Sequence, residues 1–280
     1  MNKKILAIGP YIGDFENELI TFLPYARWLH SIVDFDNIYI NTHYNRHFLY
    51  DFINKENIIS INESLTRDEL NQKGYVHKCL SPKEFGKIIK NFKNKIIEKE
   101  ECSKKEIDVY YLNYVKSTPP YSIYNKIFNE INISNFINIP EEHKNRIILI
   151  PDKKEDLKRL LYIYDFLKEY YDCIVIGDMK TFFPEKNVIL SNVDYFENGI
   201  QYILKYISEA KAIICPTGFW TSVCNILHKP VFSWGVNPGQ HRKNGIYNFY
   251  NDKCSVIPAD GDTDMASIIK NMGFFLKNLK

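Results

Sequence analysis

The sequence predicts an α/β protein made of two Rossmann-like domains, each with a parallel sheet, that face each other across a cleft. Short apolar runs typical of buried parallel strands alternate with amphipathic helical segments along the chain. This alternation pauses in a polar stretch at residues 131–146 and then starts again. The length of 280 residues suits two small domains. We therefore predict an amino-terminal domain over residues 1–140 and a carboxy-terminal domain over residues 141–280.

The amino-terminal half contains apolar runs bounded by Gly, Pro or Asn, which predict strands. A segment with helical spacing follows the first run and contains Pro24, which we expect to kink the helix. The clearest amphipathic helix spans residues 83–99, with isoleucine and phenylalanine on one face and lysines on the rest. The predicted strands of this half are KKILAIG, NIYINT, NIISIN and IDVYYLNYV, and RHFLYDFI is predicted as a short helix.

The carboxy-terminal half repeats the pattern and ends in a helix over residues 264–279. That last helix could complete the second domain or pack back on the amino-terminal domain. The predicted strands are RIILIP, CIVIGD, NVILS, KAIICP and PVFSWG, and the helices between them are KEDLKRLLYIYDFLKEYY, FENGIQYILKYISEA and GFWTSVCNILHK.

Composition narrows the function classes. With 36 basic and 34 acidic residues the net charge is +2, which gives no electrostatic argument for nucleic-acid binding. The six cysteines form no C-x-x-C pair, which favours a reducing compartment and a cytoplasmic protein. No run resembles a signal peptide or a membrane span. Walker, G-x-S-x-G and full G-x-G-x-x-G motifs are also missing from the sequence, which weakens NTPase, hydrolase and dehydrogenase interpretations.

The first candidate site is the turn in AIGPYIGDFENEL, where a strand passes into a helix. Gly9 and Gly13 allow close backbone approach. Asp14 at the helix start could accept a proton from an incoming hydroxyl. An ordinary helix N-cap is the alternative for Asp14. Glu16 and Glu18 lie in the first turn on the same acceptor side, where they could also simply complement the helix dipole.

The second candidate site is the turn in AKAIICPTGFWTSVCNILHKPVFSWG. Thr217 and Gly218 open a helix whose first N–H groups could bind a diphosphate. Thr221 and Ser222 add hydroxyl groups, and Trp220 is the aromatic side chain that we expect nearest to a ligand. The alternative is an ordinary capped helix that packs on the sheet.

Taken together and in this order, the two turns resemble the lipopolysaccharide heptosyltransferases and their relatives. The resemblance rests on ILAIGPYIGDFENELITFLPYARWL, RIILIP with DCIVIGD, and AIICPTGFWTSVCNILHKPVFSWG, about two thirds of the chain. It implies a GT-B fold and an inverting, metal-independent transfer of a sugar from a nucleotide-diphosphate sugar, without another cofactor. Asp14 matches the general base of that family.

On the donor side the resemblance implies that Thr217 and Gly218 hold the diphosphate. Lys153 and Lys154 follow the first strand of the second domain, where the family has a basic phosphate contact, and Gly177 ends the next matching strand. The chain departs from the family pattern in two ways. Pro216 stands where the family has an acidic residue, and the following helix lacks the usual histidine. These departures weaken the expectation of a heptose donor.

Three other patterns have weaker functional interpretations. His43 and His47 have i, i+4 spacing but lack an evident third zinc ligand. The lysine-rich helix at residues 83–99 could contact an anionic membrane surface or a polyanionic acceptor, although a solvated outer face explains it as well. The tyrosines of VYYLNYVKSTPPYSIY could stack on a sugar or a base, or simply pack in the core.

Three functions therefore remain open. The first is a glycosyltransferase that acts on a hydroxyl of a glycan or glycolipid. The second is a phage-type glycosyltransferase that acts on a hydroxymethylated base in DNA. The third is a non-catalytic protein that binds a nucleotide sugar.

Overall fold

A computed structural model of the protein describes residues 4–12, 18–61, 81–110, 143–151, 157–176, 188–189, 199–236, 254–258 and 264–279. The chain divides into two compact units. One comprises Met1–Ile127 with Tyr195–Glu197, and the other comprises Phe128–Asp194 with Asn198–Lys280. Each unit contains one sheet of parallel strands flanked by helices, which confirms the predicted α/β class. The predicted boundary between residues 140 and 141 lies outside the described residues.

The sheet of the first unit has the strand order β3-β2-β1-β4 and is parallel throughout. Of its two inner strands, β1 (Ile5–Ile8) is fully buried, as its continuous apolar run predicts. In register, Ile5 lies opposite Asn37 on one side and Ile107 on the other. The strands are β1 (Ile5–Ile8), β2 (Asn37–His43), β3 (Ile58–Ile61) and β4 (Ile107–Tyr110).

The helical segment after β1 differs from the sequence prediction. A π-helix occupies Glu18–Phe22, and the α-helix α1 (Leu23–Ile32) begins directly after it with Pro24 in its first turn. Pro24 therefore starts an α-helix instead of kinking one. The physical reason is that proline lacks a backbone N–H, and the first turn of a helix has no intrahelical acceptor for that group.

The predicted helix at residues 83–99 is confirmed as α2 (Pro82–Glu100). It begins with a capping box, in which Ser81 and Glu84 bond to each other's backbone N–H groups. Phe92 and Ile96 on its buried face pack against Tyr39 of β2, together with residues of β1 and β4. The hydrophobic spacing thus decides which face of the helix packs on the first sheet.

The second sheet has the strand order β10-β9-β8-β5-β6-β7 and is also parallel. Its first strand begins at His143, so the last residues of the linker predicted at 131–146 belong to the sheet. The strands are β5 (His143–Leu149), β6 (Asp172–Ile176), β7 (Val188–Ile189), β8 (Ala210–Pro216), β9 (Val231–Val236) and β10 (Cys254–Pro258).

Among the described residues of this unit, four α-helices accompany the sheet: α3 (Leu157–Leu167), α4 (Gly199–Glu209), α5 (Phe219–Ile226) and α6 (Met265–Lys277). Helix α6, for which the sequence left two packing partners open, contributes Ile268, Met272 and Phe275 to the core of the second unit. There it meets α3 and strands β5, β6, β8 and β9. Among the described residues, no helix combines the length and the apolar character needed to cross a membrane.

Candidate functional site

The turn after β1 is fixed to the neighbouring strand by its backbone. Gly9 has a φ of +107°, and a Cβ at this position would lie 2.8 Å from the carbonyl oxygen of Asn41. The N–H of Tyr11 donates to that same oxygen over 2.9 Å. Glycine is thus required both by its dihedral angle and by close backbone approach, as the sequence predicted for this position. The turn carries the chain to Ile12, which is buried.

The next described residue is Glu18, and its carboxylate is completely buried. Arg46 Nη1, whose side chain is equally buried, donates to Oε2 over 2.5 Å. Oε1 accepts hydrogen bonds from the hydroxyls of Tyr50, at 2.5 Å, and of Thr42. Both carboxylate oxygens are therefore engaged, and a contact between Glu18 and an acceptor would require breaking the ion pair. We call these four residues the Glu18 cluster.

Burial dominates the protonation of the groups around the Glu18 cluster. The pKa of Tyr50 is raised well above its ordinary value, mainly by burial and then by the adjacent Glu18 carboxylate. Burial, and secondarily the charge of Arg46, lowers the pKa of His43 to about 3. His43 is thus neutral at physiological pH. The pKa of His47, which pairs with Ser60 over 3.0 Å, is also lowered by burial.

The two histidines at i, i+4 spacing therefore have structural surroundings. His43 ends β2, and His47 lies in a 3₁₀-helix (Tyr44–Leu49) where the sequence predicted a short helix. In the part of the chain that the structure describes, no three side chains of histidine, cysteine, aspartate or glutamate gather in a way that could hold a metal ion.

A cavity of about 340 Å³ lies between α2 and the carboxyl halves of β2 and β3. Such a volume is at the lower end of what small-molecule sites use. Apolar side chains and polar side chains share its wall. The lining residues are Asn41, Ile59, Ser60, Ile61, Ile88, Asn91, Phe92, Asn94, Lys95 and Glu98.

The lysines of α2 are not equivalent. Lys99 donates to the carbonyl oxygen of Glu56 over 2.7 Å and to Oδ1 of Asn57 over 2.9 Å, and its ammonium lies 5.4 Å from the ring centre of Tyr39. It ties the end of α2 to the segment before β3. Lys83, Lys87, Lys90 and Lys95 are exposed.

The turn after β8 is tied to the neighbouring strand β9. The N–H of Thr217 donates to the carbonyl oxygen of Trp234 over 2.8 Å. The hydroxyl of Thr217 lies 2.6 Å from Oγ of Ser233 and also donates to the Trp234 carbonyl at 3.2 Å. Both polar groups of Thr217 therefore bond within the sheet and fix the start of α5.

Gly218 and Thr221 close the first turn of α5. The N–H of Gly218 donates to Oγ1 of Thr221 over 3.3 Å, and the N–H of Thr221 returns to the Gly218 carbonyl over 3.2 Å. Thr221 is buried, and Trp220 is only 8% exposed. Ser222 lies one residue further along the helix. The first turn of α5 still presents backbone N–H groups that have no acceptor inside the helix.

Several predicted site residues lie outside the described residues. These are Gly13, Asp14 and Glu16 on the acceptor side and Lys153, Lys154 and Gly177 on the donor side. Their roles stay predictions. Of those that the structure describes, Glu18 lies beside β2, and Thr217 and Gly218 follow β8, at the carboxyl ends of parallel strands where α/β sheets bind ligands. Trp220, Thr221 and Ser222 belong to α5, which begins directly after that turn.

The sequence did not identify Arg46, Tyr50 or Ser233. Arg46 and Tyr50 lie 28 and 32 positions from Glu18, and Ser233 lies 16 positions from Thr217. Each of these contacts exists only because two parallel strands end side by side. The one available signal was Arg46 itself, which begins the largely apolar segment RHFLYDFI and invites a search for a buried acidic partner.

No protein-family model matches the chain, and no curated protein matches it by sequence. Solved structures do match. The E. coli heptosyltransferase WaaC with ADP is similar with a TM-score of 0.58 and 8% sequence identity, covering 98% of this chain and 99% of that one. The glycosyl transferase of family 9 from Veillonella parvula is similar with a TM-score of 0.52 and 11% sequence identity, covering 99% of this chain and 90% of that one. A UDP-N-acetylglucosamine 2-epimerase is similar with a TM-score of 0.50 and 10% sequence identity, covering 99% of this chain and 87% of that one.

At such low identity the likeness establishes the fold. The chain shares, over almost its whole length, the two-unit α/β fold of these enzymes, and this confirms the GT-B type of fold that the sequence resemblance implied. The three proteins named above differ in what they do, so the choice among functions depends on the residues at the strand ends.

Proposed function

We propose that the protein is a glycosyltransferase that moves a sugar from a nucleotide-diphosphate sugar to a hydroxyl of a glycan or glycolipid. The observation that carries the proposal is the fold shared over 98% of this chain and 99% of a heptosyltransferase with ADP. Two features of this chain support it: the turn after β1 leads towards Asp14, and the turn after β8 opens a helix. Parallel sheets of this kind bind their ligands at these strand ends.

In the proposed reaction Asp14 accepts the proton of the acceptor hydroxyl. The acceptor oxygen then attacks the anomeric carbon from the side opposite the leaving group, so the configuration inverts. The bond between the anomeric carbon and the diphosphate oxygen breaks, and the diphosphate leaves with the electron pair. A carboxylate base of this kind contributes about 10²- to 10⁴-fold in rate.

The developing charge on the diphosphate needs cationic or N–H partners. The first turn of α5 offers backbone N–H groups and the positive end of the helix dipole. Lys153 and Lys154 add positive charge in the sequence position that the resemblance assigns to phosphate binding. These groups together can stabilise the leaving group without a metal ion, which is why we propose a metal-independent transfer.

In this proposal Thr217 braces the phosphate turn, since its hydroxyl and N–H both bond to β9. Gly218 lets the backbone approach the ligand closely. The cavity beside β2 and β3, with its amide and hydroxyl groups, suits part of a polyhydroxylated acceptor.

The test is donor turnover with a panel of nucleotide-diphosphate sugars, with and without EDTA. The wild type is compared with Asp14→Asn and with the control Asp34→Asn, an exposed aspartate just after α1. We expect Asp14→Asn to lower kcat by about 100-fold or more, with a donor KM close to that of the wild type, and the control to remain active. Undiminished turnover by Asp14→Asn would remove it as the base.

The same experiment separates the alternatives. Calorimetric binding of a nucleotide sugar without any turnover would instead indicate a non-catalytic binding protein. Salt-sensitive binding to duplex DNA, with transfer to a hydroxymethylated base, would indicate the phage-type activity. Loss of activity in EDTA that added metal restores would contradict the metal-independent mechanism.

A further inference from the structure

We propose that the Glu18 cluster is a positioning device: it fixes the residue at the carboxyl end of the segment that contains Asp14 to the end of strand β2. The inference rests on the proposed function, in which Asp14 is the base. Glu18, Thr42, Arg46 and Tyr50 act through the backbone and do not touch the substrate.

The chain between Tyr11 and Glu18 is anchored at both of its ends to neighbouring residues of one strand. The N–H of Tyr11 bonds to the carbonyl oxygen of Asn41 over 2.9 Å. Glu18 accepts a hydrogen bond from the hydroxyl of Thr42, the next residue of β2. Asp14 lies three residues after the first anchor and four residues before the second.

The second anchor, Glu18, is more deeply buried than a role in complementing the helix dipole requires. A glutamate that only complements a helix dipole lies at the surface, whereas Glu18 and Arg46 are both completely buried. Burying an ion pair brings little or no net stability compared with apolar side chains of similar size. The same pair does, however, favour one arrangement of the helix start, because displacing Glu18 would break the bonds of its buried carboxylate to Arg46, Tyr50 and Thr42.

The backbone at Glu18 is also unusual. Glu18 begins a five-residue π-helix immediately before α1. Short π-helical turns are less stable than α-helix and are frequent at functional sites. The turn after β1 precedes residues 13–17 in the sequence, and the π-helix with the Glu18 cluster follows them, so that Asp14 belongs to the segment between these two described structures.

The test replaces both charges of this ion pair by apolar side chains of similar length, Glu18→Met with Arg46→Met, so that neither of the two charges stays buried without the other. The matched control is Arg27→Met with Asp51→Met, which removes a second ion pair of the same unit. This arginine–aspartate pair is half-buried and links α1 to the residue after Tyr50. Two readouts are used: steady-state kinetics with the donor, and hydrogen exchange of the peptide that spans residues 11–18, measured by mass spectrometry.

We expect the Glu18/Arg46 double variant to remain folded, to lose about 10- to 100-fold in kcat with little change in donor KM, and to exchange faster in that peptide alone. The control should match the wild type in both readouts. If the double variant does not fold, Tyr50→Phe removes one hydrogen bond to Glu18 and should show the same two effects at smaller size. Unchanged exchange of the peptide or unchanged kcat in the folded variant would overturn the inference.

The outcome can be separated from that of the proposed function. An inactive Asp14→Asn together with a fully active Glu18/Arg46 variant would reject the positioning role and leave the base in place. A fully active Asp14→Asn would reject the base, and faster exchange in the Glu18/Arg46 variant would then show an anchored turn with another role.

Discussion

Replacing Thr217 by valine tests whether the hydroxyl of this residue stabilises the protein by bonding to strand β9. Its hydroxyl lies 2.6 Å from Oγ of Ser233 and donates to the carbonyl oxygen of Trp234 at 3.2 Å. Ser233 is completely buried, so Thr217→Val leaves a buried hydroxyl without this partner. The Trp234 carbonyl keeps the N–H of residue 217. We therefore expect the free energy of unfolding to fall by about 1–3 kcal/mol, the cost of one buried unsatisfied polar group.

Urea denaturation followed by tryptophan fluorescence measures this change well. Two of the three tryptophans, Trp220 and Trp234, flank the turn. Thr217→Ser keeps the hydroxyl and is the control, expected within about 0.5 kcal/mol of the wild type. A valine variant as stable as the wild type would refute the bracing role. If that variant instead showed only a raised donor KM, the Thr217 hydroxyl would bind the ligand directly.

Two further predictions concern the first unit. Gly9→Ala should lower the free energy of unfolding by about 1–3 kcal/mol in thermal or urea unfolding, because residue 9 has a positive φ and its new Cβ would lie 2.8 Å from the Asn41 carbonyl oxygen. Gly86→Ala is the control, since a Cβ at position 86 would meet open space and should not destabilise the protein. His43 stays neutral in the folded protein down to about pH 3, whereas the unfolded chain binds a proton near pH 6.5. The contribution of neutral His43 to the free energy of unfolding is therefore fully present above pH 6.5. It falls by about 1.4 kcal/mol per pH unit between pH 6.5 and about pH 3. Between pH 7.5 and 4.5 the wild type should lose about 3 kcal/mol more than His43→Asn in free energy of unfolding, and equal losses would contradict this.

The strands and the best helix could be predicted because their signals are local. β1 is a short run of buried apolar residues. α2 is indicated by its hydrophobic spacing, and it begins at a local capping box between Ser81 and Glu84. The segment from Glu18 to Ile32 was harder, since Leu19, Phe22 and Leu23 are compatible with one continuous helix. The structure shows a π-helix followed by an α-helix.

The partners at the candidate sites could not be predicted because they are set by strand order. Thr217 was identified from its own turn, but its contact with Ser233 depends on β8 and β9 being neighbours. Glu18 was assigned to the acceptor side or to the helix dipole, since nothing near it in the sequence indicates a buried arginine. The pairing of Glu18 with Arg46 depends on how the residues after β1 and after β2 come together.

The Glu18 cluster also sharpens the choice of a base in the proposed reaction. Three acidic residues, Asp14, Glu16 and Glu18, follow β1 within ten residues. A base must reach the acceptor hydroxyl within hydrogen-bonding distance. Glu18 cannot do so while Oε1 and Oε2 hold three donors and its side chain is completely buried. Because both oxygens of Glu18 are occupied in this way, Glu18 is not available to replace Asp14 as the base, and we expect no residual activity in Asp14→Asn that depends on Glu18.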